Sequence, residues 1–258
     1  MTLDAEKIAQ YERAGWCTTG PILQPGECDR ITAEFEALRQ QTVMLGAPED
    51  GPLAYQPMLY ASSPFLTRMI ADPRLVEIAV SLVGPDVRMS WEQLVAKPPH
   101  ASTELPWHQD DGYAPTDPPG YLTCWLALDD ADEENGCIWI IPGSHRHGIF
   151  RHRSAGPYFR SGIEAFGHEE NAVPAPVRKG EALLFNSLTL HRSGPNECAR
   201  ARRAWIVQYC SAGARHGNTG EALDDRVWVA RGGAPVVEPY AERPIDVGQV
   251  FANWTPLE

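Results

Sequence analysis

Basic residues are scarce in this chain of 258 residues: 22 Lys and Arg stand against 34 Asp and Glu, a formal net charge of −12. That balance argues against a nucleic-acid binder, which needs a basic face. No run approaches the roughly 18 consecutive apolar residues that a membrane span requires. The opening stretch, Met1-Thr2-Leu3-Asp4-Ala5-Glu6-Lys7, has no basic patch ahead of an apolar segment, so no secretory leader is expected. The six cysteines (Cys17, Cys28, Cys124, Cys137, Cys198, Cys210) form no CxxC pair, which points to free thiols rather than a disulfide framework or a zinc knuckle. Internal repeats and low-complexity tracts are missing as well. A cytoplasmic protein is therefore expected. With 43% hydrophobic residues the chain has enough for one sizeable core, and a single domain over residues 1–258 is expected.

Helical signals fill the first third. Ile8 and Tyr11 share a face in 4–14, with Gly15 as a stop, and a short extended piece runs from Trp16 to Leu23. Pro25 opens a second helix to about Gln41, and Asp72-Pro73 caps a third that ends at Gly84. The stretch Val43–Pro57 reads as loop. From Val87 the period changes to two, with Met89, Trp91, Gln93 and Val95 on one face. Further strands are expected at Leu105–Asp110, Tyr121–Leu128, Cys137–Ile141, Ala182–Phe185, Thr189–His191 and Ala204–Cys210. Residues 144–176 have no sustained period and read as a lid or binding loop. Helices followed by about eight short strands predict an α+β protein. Its helical part would span about 1–84, a jelly-roll, cupin-like core about 85–211, and a C-terminal extension 212–258.

Chemistry concentrates in Trp107-His108-Gln109-Asp110. On a strand, residues two apart share a face, so His108 and Asp110 would project together with Gln109 opposed. Asp111 would be turned away. An imidazole beside a carboxylate offers two adjacent metal ligands, and a third would complete the two-histidine, one-carboxylate triad that suits non-haem Fe(II). His191, at a strand end before Arg192-Ser193-Gly194-Pro195, is the candidate. Arg202 opens an otherwise apolar strand. A guanidinium there is costly without a planar anion, and a carboxylate is the natural match. Arg203 would point the other way, to solvent. A lone His-x-Asp is common, and a lone strand-end histidine is often a plain core or rim residue.

The four segments 107–110, 132–137 (Asp-Glu-Glu-Asn-Gly-Cys), 141–145 (Ile-Pro-Gly-Ser-His) and 191–196, with Arg202, resemble the phytanoyl-CoA dioxygenase family over roughly residues 5–211. The resemblance implies a double-stranded β-helix with N-terminal helices packed on one sheet. It further implies Fe(II) held by His108, Asp110 and His191, 2-oxoglutarate and O2 as cosubstrates, and Arg202 on the distal carboxylate of 2-oxoglutarate. Ser193, Trp125 and Gln93 fall at cosubstrate-binding positions, Gln93 where methionine is frequent. The implied reaction is hydroxylation of a small organic substrate with succinate and CO2 as co-products. Desaturation, epoxidation and cyclisation share the oxidising step. An acid at position 110 favours hydroxylation over halogenation.

One position departs from the family. Relatives often carry an upstream cosubstrate-binding lysine, whereas here no lysine lies between Lys7 and Lys97; Tyr55 or Gln56 is the candidate replacement. Arg146, Arg151, Arg153 and Arg160 cluster in the lid-like segment, with Phe150, Tyr158 and Phe159 beside them. This cluster reads either as a solvated loop or as a site for an anionic or carrier-bound substrate, with Arg146, Arg151, Phe150 and Tyr158 as the contacts. The histidines at 145, 147 and 152 have no acid or thiol neighbours and read as loop residues or as supports behind the metal ligands. A non-catalytic cupin-like binding domain and a Zn(II) hydrolase on the same three ligands remain as the other readings. The sequence leaves the oligomeric state open.

Overall fold

The structure, a computed structural model, describes residues 3–42, 54–152 and 169–243. The elements in chain order begin with α1 (Ala5–Ala14), β1 (Trp16–Thr18), α2 (Pro25–Thr42) and β2 (Ala54–Pro57). Next come α3 (Pro64–Met69), α4 (Pro73–Val83), β3 (Val87–Lys97), β4 (Leu105–His108), β5 (Thr116–Asp117), β6 (Leu122–Ala127) and β7 (Ile138–Ile140). The chain continues through β8 (Val173–Ala175), β9 (Ala182–Asn186), β10 (His191–Ser193), β11 (Arg202–Ser211), β12 (Arg215–His216), β13 (Val227–Arg231) and β14 (Ala234–Tyr240).

Helix ends follow their local chemistry. The Asp4 carboxylate accepts from the Lys7 amide and Gly15 closes α1 at φ 83°. Gly15 is required twice over, since a Cβ there would lie 2.5 Å from the His145 ring and 2.6 Å from Thr189 Oγ1. Asp72 and Pro73 start α4 and Gly84 ends it, as the sequence predicts.

Two sheets build the body. The large one runs β1-β9-β6-β11-β3-β13-β14 with β2 also on β3, and the small one runs β4-β10-β7-β8. The large sheet is covered on both faces. Ile31, Phe35, Leu66, Ile70, Leu75 and Ile78 of the helical part pack on Leu122, Cys124, Leu184, Trp205, Val207 and Tyr209. On the other face Val95, Trp125, Phe185 and Ile206 meet Ile138 and Ile140 of the small sheet. Because both faces are buried, β6 is buried at every position and shows no alternation of polar and apolar residues. This is the jelly roll that the sequence pattern predicts.

Several elements differ from the sequence expectation. Ala54–Pro57 is a strand rather than loop, and its neighbours 43–53 lie outside the described residues. A strand at Val173–Ala175 closes the small sheet in the segment read as aperiodic. The extension beyond residue 211 adds β13 and β14 to the large sheet. Strand β3 carries a bulge: Gln208 faces Trp91 while Tyr209 faces Met89, so Ser90 is an extra residue. The bulge reverses the phase. Gln93 and Val95 face the space between the sheets, whereas Met89 lies in the helix-side core. All six cysteines are free, five of them buried.

Candidate metal centre

His108 ends β4 and His191 begins β10, and the two are direct partners across antiparallel strands. Their rings lie 4.1 Å apart between centroids. Asp110 is not on the strand, as the two-residue period predicts, but is the first residue of a 3-10 turn, Asp110–Gly112. His191 likewise begins its strand rather than ending one, because residues 187–189 form the preceding turn. The convergence survives both differences. Asp110 Oδ1 lies 3.9 Å from His108 Nε2 and 3.6 Å from His191 Nε2. One donor atom from each of the three residues falls within 4.8 Å of the others, the one such group among the described residues.

The ring tautomers are set by the backbone. His108 Nδ1 donates to the Pro106 carbonyl at 2.7 Å and His191 Nδ1 to the Thr189 carbonyl at 2.9 Å. A carbonyl only accepts, so each Nδ1 bears the proton and each Nε2 offers a lone pair to the shared space. Burial lowers the pKa of His108 to about 3, helped by His191, and that of His191 to about 4. Both imidazoles are therefore neutral at physiological pH. The carboxyl of Asp110 is raised by burial, against the lowering effects of His108, Thr123 and Gln208. Three neutral-to-anionic donors around one buried point are a set that a small divalent ion satisfies.

Neighbouring residues hold the turn. Gln109, fully buried, donates through Nε2 to the carbonyls of Gly148 (2.8 Å) and Leu188 (2.7 Å), and its Oε1 accepts from the Phe150 amide (2.7 Å). His152 Nε2 accepts from the Gln109 amide at 2.9 Å, and Nδ1 donates to the Phe150 carbonyl at 2.8 Å. His152 thus braces the turn that carries the ligands and belongs to no second metal group among the described residues. Asp111 points away as expected. It accepts from the amides of Thr116 and Gly120 and from the Ser187 hydroxyl.

A cavity of about 50 Å³ opens from the three ligands. Its walls are Val95, Leu105, Trp125, Ile138, Phe185 and Ile206, and its polar side chains include Gln93, Lys97, Ser193, Arg202 and Gln208. Arg202 is 1% exposed. Its Nη2 donates to Ser193 Oγ at 3.0 Å, while Nε and Nη1 have no partner. Ser193 Oγ in turn donates to the Gly136 carbonyl. Gly136 adopts φ 81° and allows that approach, since a Cβ would sit 2.6 Å from the Gly194 oxygen. The Arg202 guanidinium lies 5.4 Å from the Trp125 ring, and burial lowers its pKa to about 10. Two buried, unanswered N–H groups beside a metal-ligand set fit a carboxylate at hydrogen-bond distance. Arg203 faces the other way, to Asp129 and Glu36.

Gln93 also lines the cavity, and its Oε1 accepts from Trp91 Nε1 at 2.7 Å. Gln56 does not replace the missing lysine, for it pairs with Leu94 on the helix side of β3. Tyr55 is in register with Val95. The cation that lines the cavity beside Arg202 is instead Lys97, directly opposite Arg202 in the β3–β11 ladder. Its Nζ donates to the carbonyls of Thr103 (2.9 Å), Ser193 (3.2 Å) and Gly194. Burial, with Arg202 nearby, lowers its pKa to about 7. In the sequence Pro98-Pro99 marks Lys97 only as a strand end, although its position two after Val95 puts it on the cavity face. Of the proposed substrate contacts, Arg146 and Arg151 are exposed and Phe150 is half-buried. None of the three lines the cavity, and Tyr158 lies outside the described residues.

Fold and donor set together define a class: a jelly roll with a two-histidine, one-carboxylate centre at its mouth. The model of the phytanoyl-CoA dioxygenase (PhyH) family matches residues 11–204, and the chain belongs to that family. Phytanoyl-CoA dioxygenase domain-containing protein 1 of Danio rerio is 35% identical over 156 residues, 57% of this chain and 53% of that protein. The match thus spans about half the length of that relative. Peroxisomal phytanoyl-CoA dioxygenase of Homo sapiens is 25% identical over 237 residues, 82% of this chain and 69% of that one. The epimerase SnoN, crystallised with Fe3+, alpha ketoglutarate and nogalamycin RO, superposes with a TM-score of 0.71 at 25% identity, over 93% of this chain and 95% of that chain. No helix among the described residues is long and apolar enough to cross a membrane.

Proposed function

We propose that this chain is an Fe(II)- and 2-oxoglutarate-dependent dioxygenase, working as a single unit, that hydroxylates a small organic substrate. The observation that carries the proposal is the pairing of two features in one cavity. Three ligand atoms converge on a point, and beside them a buried guanidinium has two unanswered donors. A Zn(II) hydrolase on the same triad has no use for that guanidinium, and a non-catalytic binding domain has no use for the neutral, backbone-locked imidazoles.

In this reading His108, Asp110 and His191 hold the iron, and Arg202 with Ser193 holds the distal carboxylate of 2-oxoglutarate. When bound with 2-oxoglutarate and O2, the iron supplies the oxidising power for C–H hydroxylation as 2-oxoglutarate becomes succinate and CO2. The chain's own side chains orient and exclude. The Pro106 and Thr189 carbonyls keep each Nε2 aimed inward, and the Trp125 ring beside Arg202 limits how the guanidinium turns. Lys97 pins the Ser193-Gly194 backbone beside Arg202. Leu105, Ile138, Phe185 and Ile206 keep that end dry. An anionic or carrier-bound substrate would meet Arg146, Arg151 and Phe150 outside the cavity lining rather than within it. Phe150 is tied to the ligand turn through Gln109.

The test is to add Fe(II) and 2-oxoglutarate without oxygen and record the visible spectrum. The proposal predicts a metal-to-ligand charge-transfer band, then succinate once air is admitted. Neither a band nor succinate returns the chain to the hydrolase or binding readings.

A further inference from the structure

Asp110 has two carboxylate oxygens, and the fold treats them differently. Oδ1 faces both histidine Nε2 atoms. Oδ2 faces away and accepts two hydrogen bonds, 2.6 Å from Thr123 Oγ1 and 2.9 Å from Gln208 Nε2. Thr123 on β6 and Gln208 on β11 are direct cross-strand partners. They are joined by a third bond, Gln208 Nε2 to Thr123 Oγ1 at 3.2 Å. Thr123 gives its hydroxyl hydrogen to Asp110, and Gln208 directs an N–H at the Asp110–Thr123 oxygen pair. Both side chains are buried, at 7% and 1% exposure, so water does not compete for these bonds. The two donors hold Oδ2 against β6 and β11. The bulge at Ser90 lies across the β3–β11 ladder at the Gln208–Tyr209 step, where a bulge re-aims side chains near a site.

We infer that Thr123 and Gln208 are positioning residues that make Asp110 a one-oxygen metal ligand, keeping three adjacent coordination positions free for cosubstrates. This rests on the metal reading of the site given above. A carboxylate free to rotate binds through both oxygens and takes one of those positions. The cross-strand pair opposes that through its hydrogen bonds to the far oxygen, without supplying a metal ligand.

The experiment counts coordinated water on the full-length protein loaded with Mn(II), an octahedral stand-in for Fe(II), by water-proton relaxation. Wild type is expected to carry three exchangeable waters. Gln208→Leu with Thr123→Val frees Oδ2, and the metal-bound contribution to relaxation falls by about one third as the carboxylate displaces one water. Thr123→Ser keeps the donor and keeps the wild-type value, which loosened packing at position 123 would not do. Gln208→Leu alone serves if the double variant does not fold, and the same direction of change is expected. Mn(II)-loaded variants with wild-type relaxation overturn the inference and leave the metal reading intact. No relaxation enhancement in wild type, or enhancement that survives His191→Ala, overturns both.

Discussion

At Arg202 the energetics of a single buried side chain carry most of the functional reading. A guanidinium at 1% exposure with two silent donors is costly until an anion arrives. Replacing it by Met removes charge-assisted hydrogen bonds of about 2 kcal/mol, so half-saturation by 2-oxoglutarate is expected to rise roughly 30-fold. Iron affinity is expected to hold; titration of the charge-transfer band separates the two. The histidines allow a pH prediction of known sign. Their pKa values, about 3 for His108 and about 4 for His191, sit below the usual 6.5, so protons compete for the two rings only in acid, while the raised Asp110 carboxyl takes a proton at higher pH than a free one. The ring resonances of His108 and His191 in the metal-free protein are expected to stay flat from pH 8 down to about 5, and a titration near pH 6.5 would contradict the neutral-ring assignment. His108, Asp110, His191, Ser193 and Arg202 were legible because each sits in a short motif whose chemistry is costly without a purpose. Thr123, Gln208 and Lys97 were not. Their roles come from which strand faces which, and a threonine, a glutamine and a strand-end lysine carry no such signal alone.

Among the elements, β3 shows why strand phase read from sequence reaches only part of the way. Its polar-apolar alternation marks the strand, but the extra residue at Ser90 and burial on both faces hide which side meets the cavity. Glu92, polar in the pattern, is wholly buried on the helix side. It accepts from Trp205 Nε1 at 2.7 Å and from the Tyr60 amide at 3.2 Å. Burial raises its pKa from 4.5 to about 7. Because the folded value is the higher, the stability that Glu92 contributes is full below pH 4.5 and is lost as pH rises to about 7. The melting temperature of wild type relative to Glu92→Gln is therefore expected to fall between pH 4.5 and 7 and to level off above. A difference that grows over this window would refute the linkage. The helices were read more closely, since Asp4, Gly15, Asp72, Pro73 and Gly84 act through local backbone chemistry. The three- and four-residue strands β1, β2 and β8 are too short for any period to show, and they exist because a neighbouring strand pairs with them.

For the whole molecule, the two-sheet body followed from the count and order of strand signals, while the reach of the large sheet did not. Strands β13 and β14 extend it, and Val227, Val229 and Ala230 enter the main core. Burying a valine contributes about 1.5–3 kcal/mol, so even two are a large share of the 5–15 kcal/mol that holds a domain together. A chain ending at Ser211 is expected to lose its cooperative melting transition although every proposed ligand remains. An unchanged transition would show that the hairpin is dispensable. The central claim is that His108, Asp110 and His191, from two strands of the small sheet and the turn between β4 and β5, hold one iron. Anomalous diffraction at the iron edge from crystals grown with Fe(II) tests it most directly. The account predicts one strong peak at bonding distance from both Nε2 atoms and from Oδ1 of Asp110; a peak elsewhere, or none at that point, contradicts it.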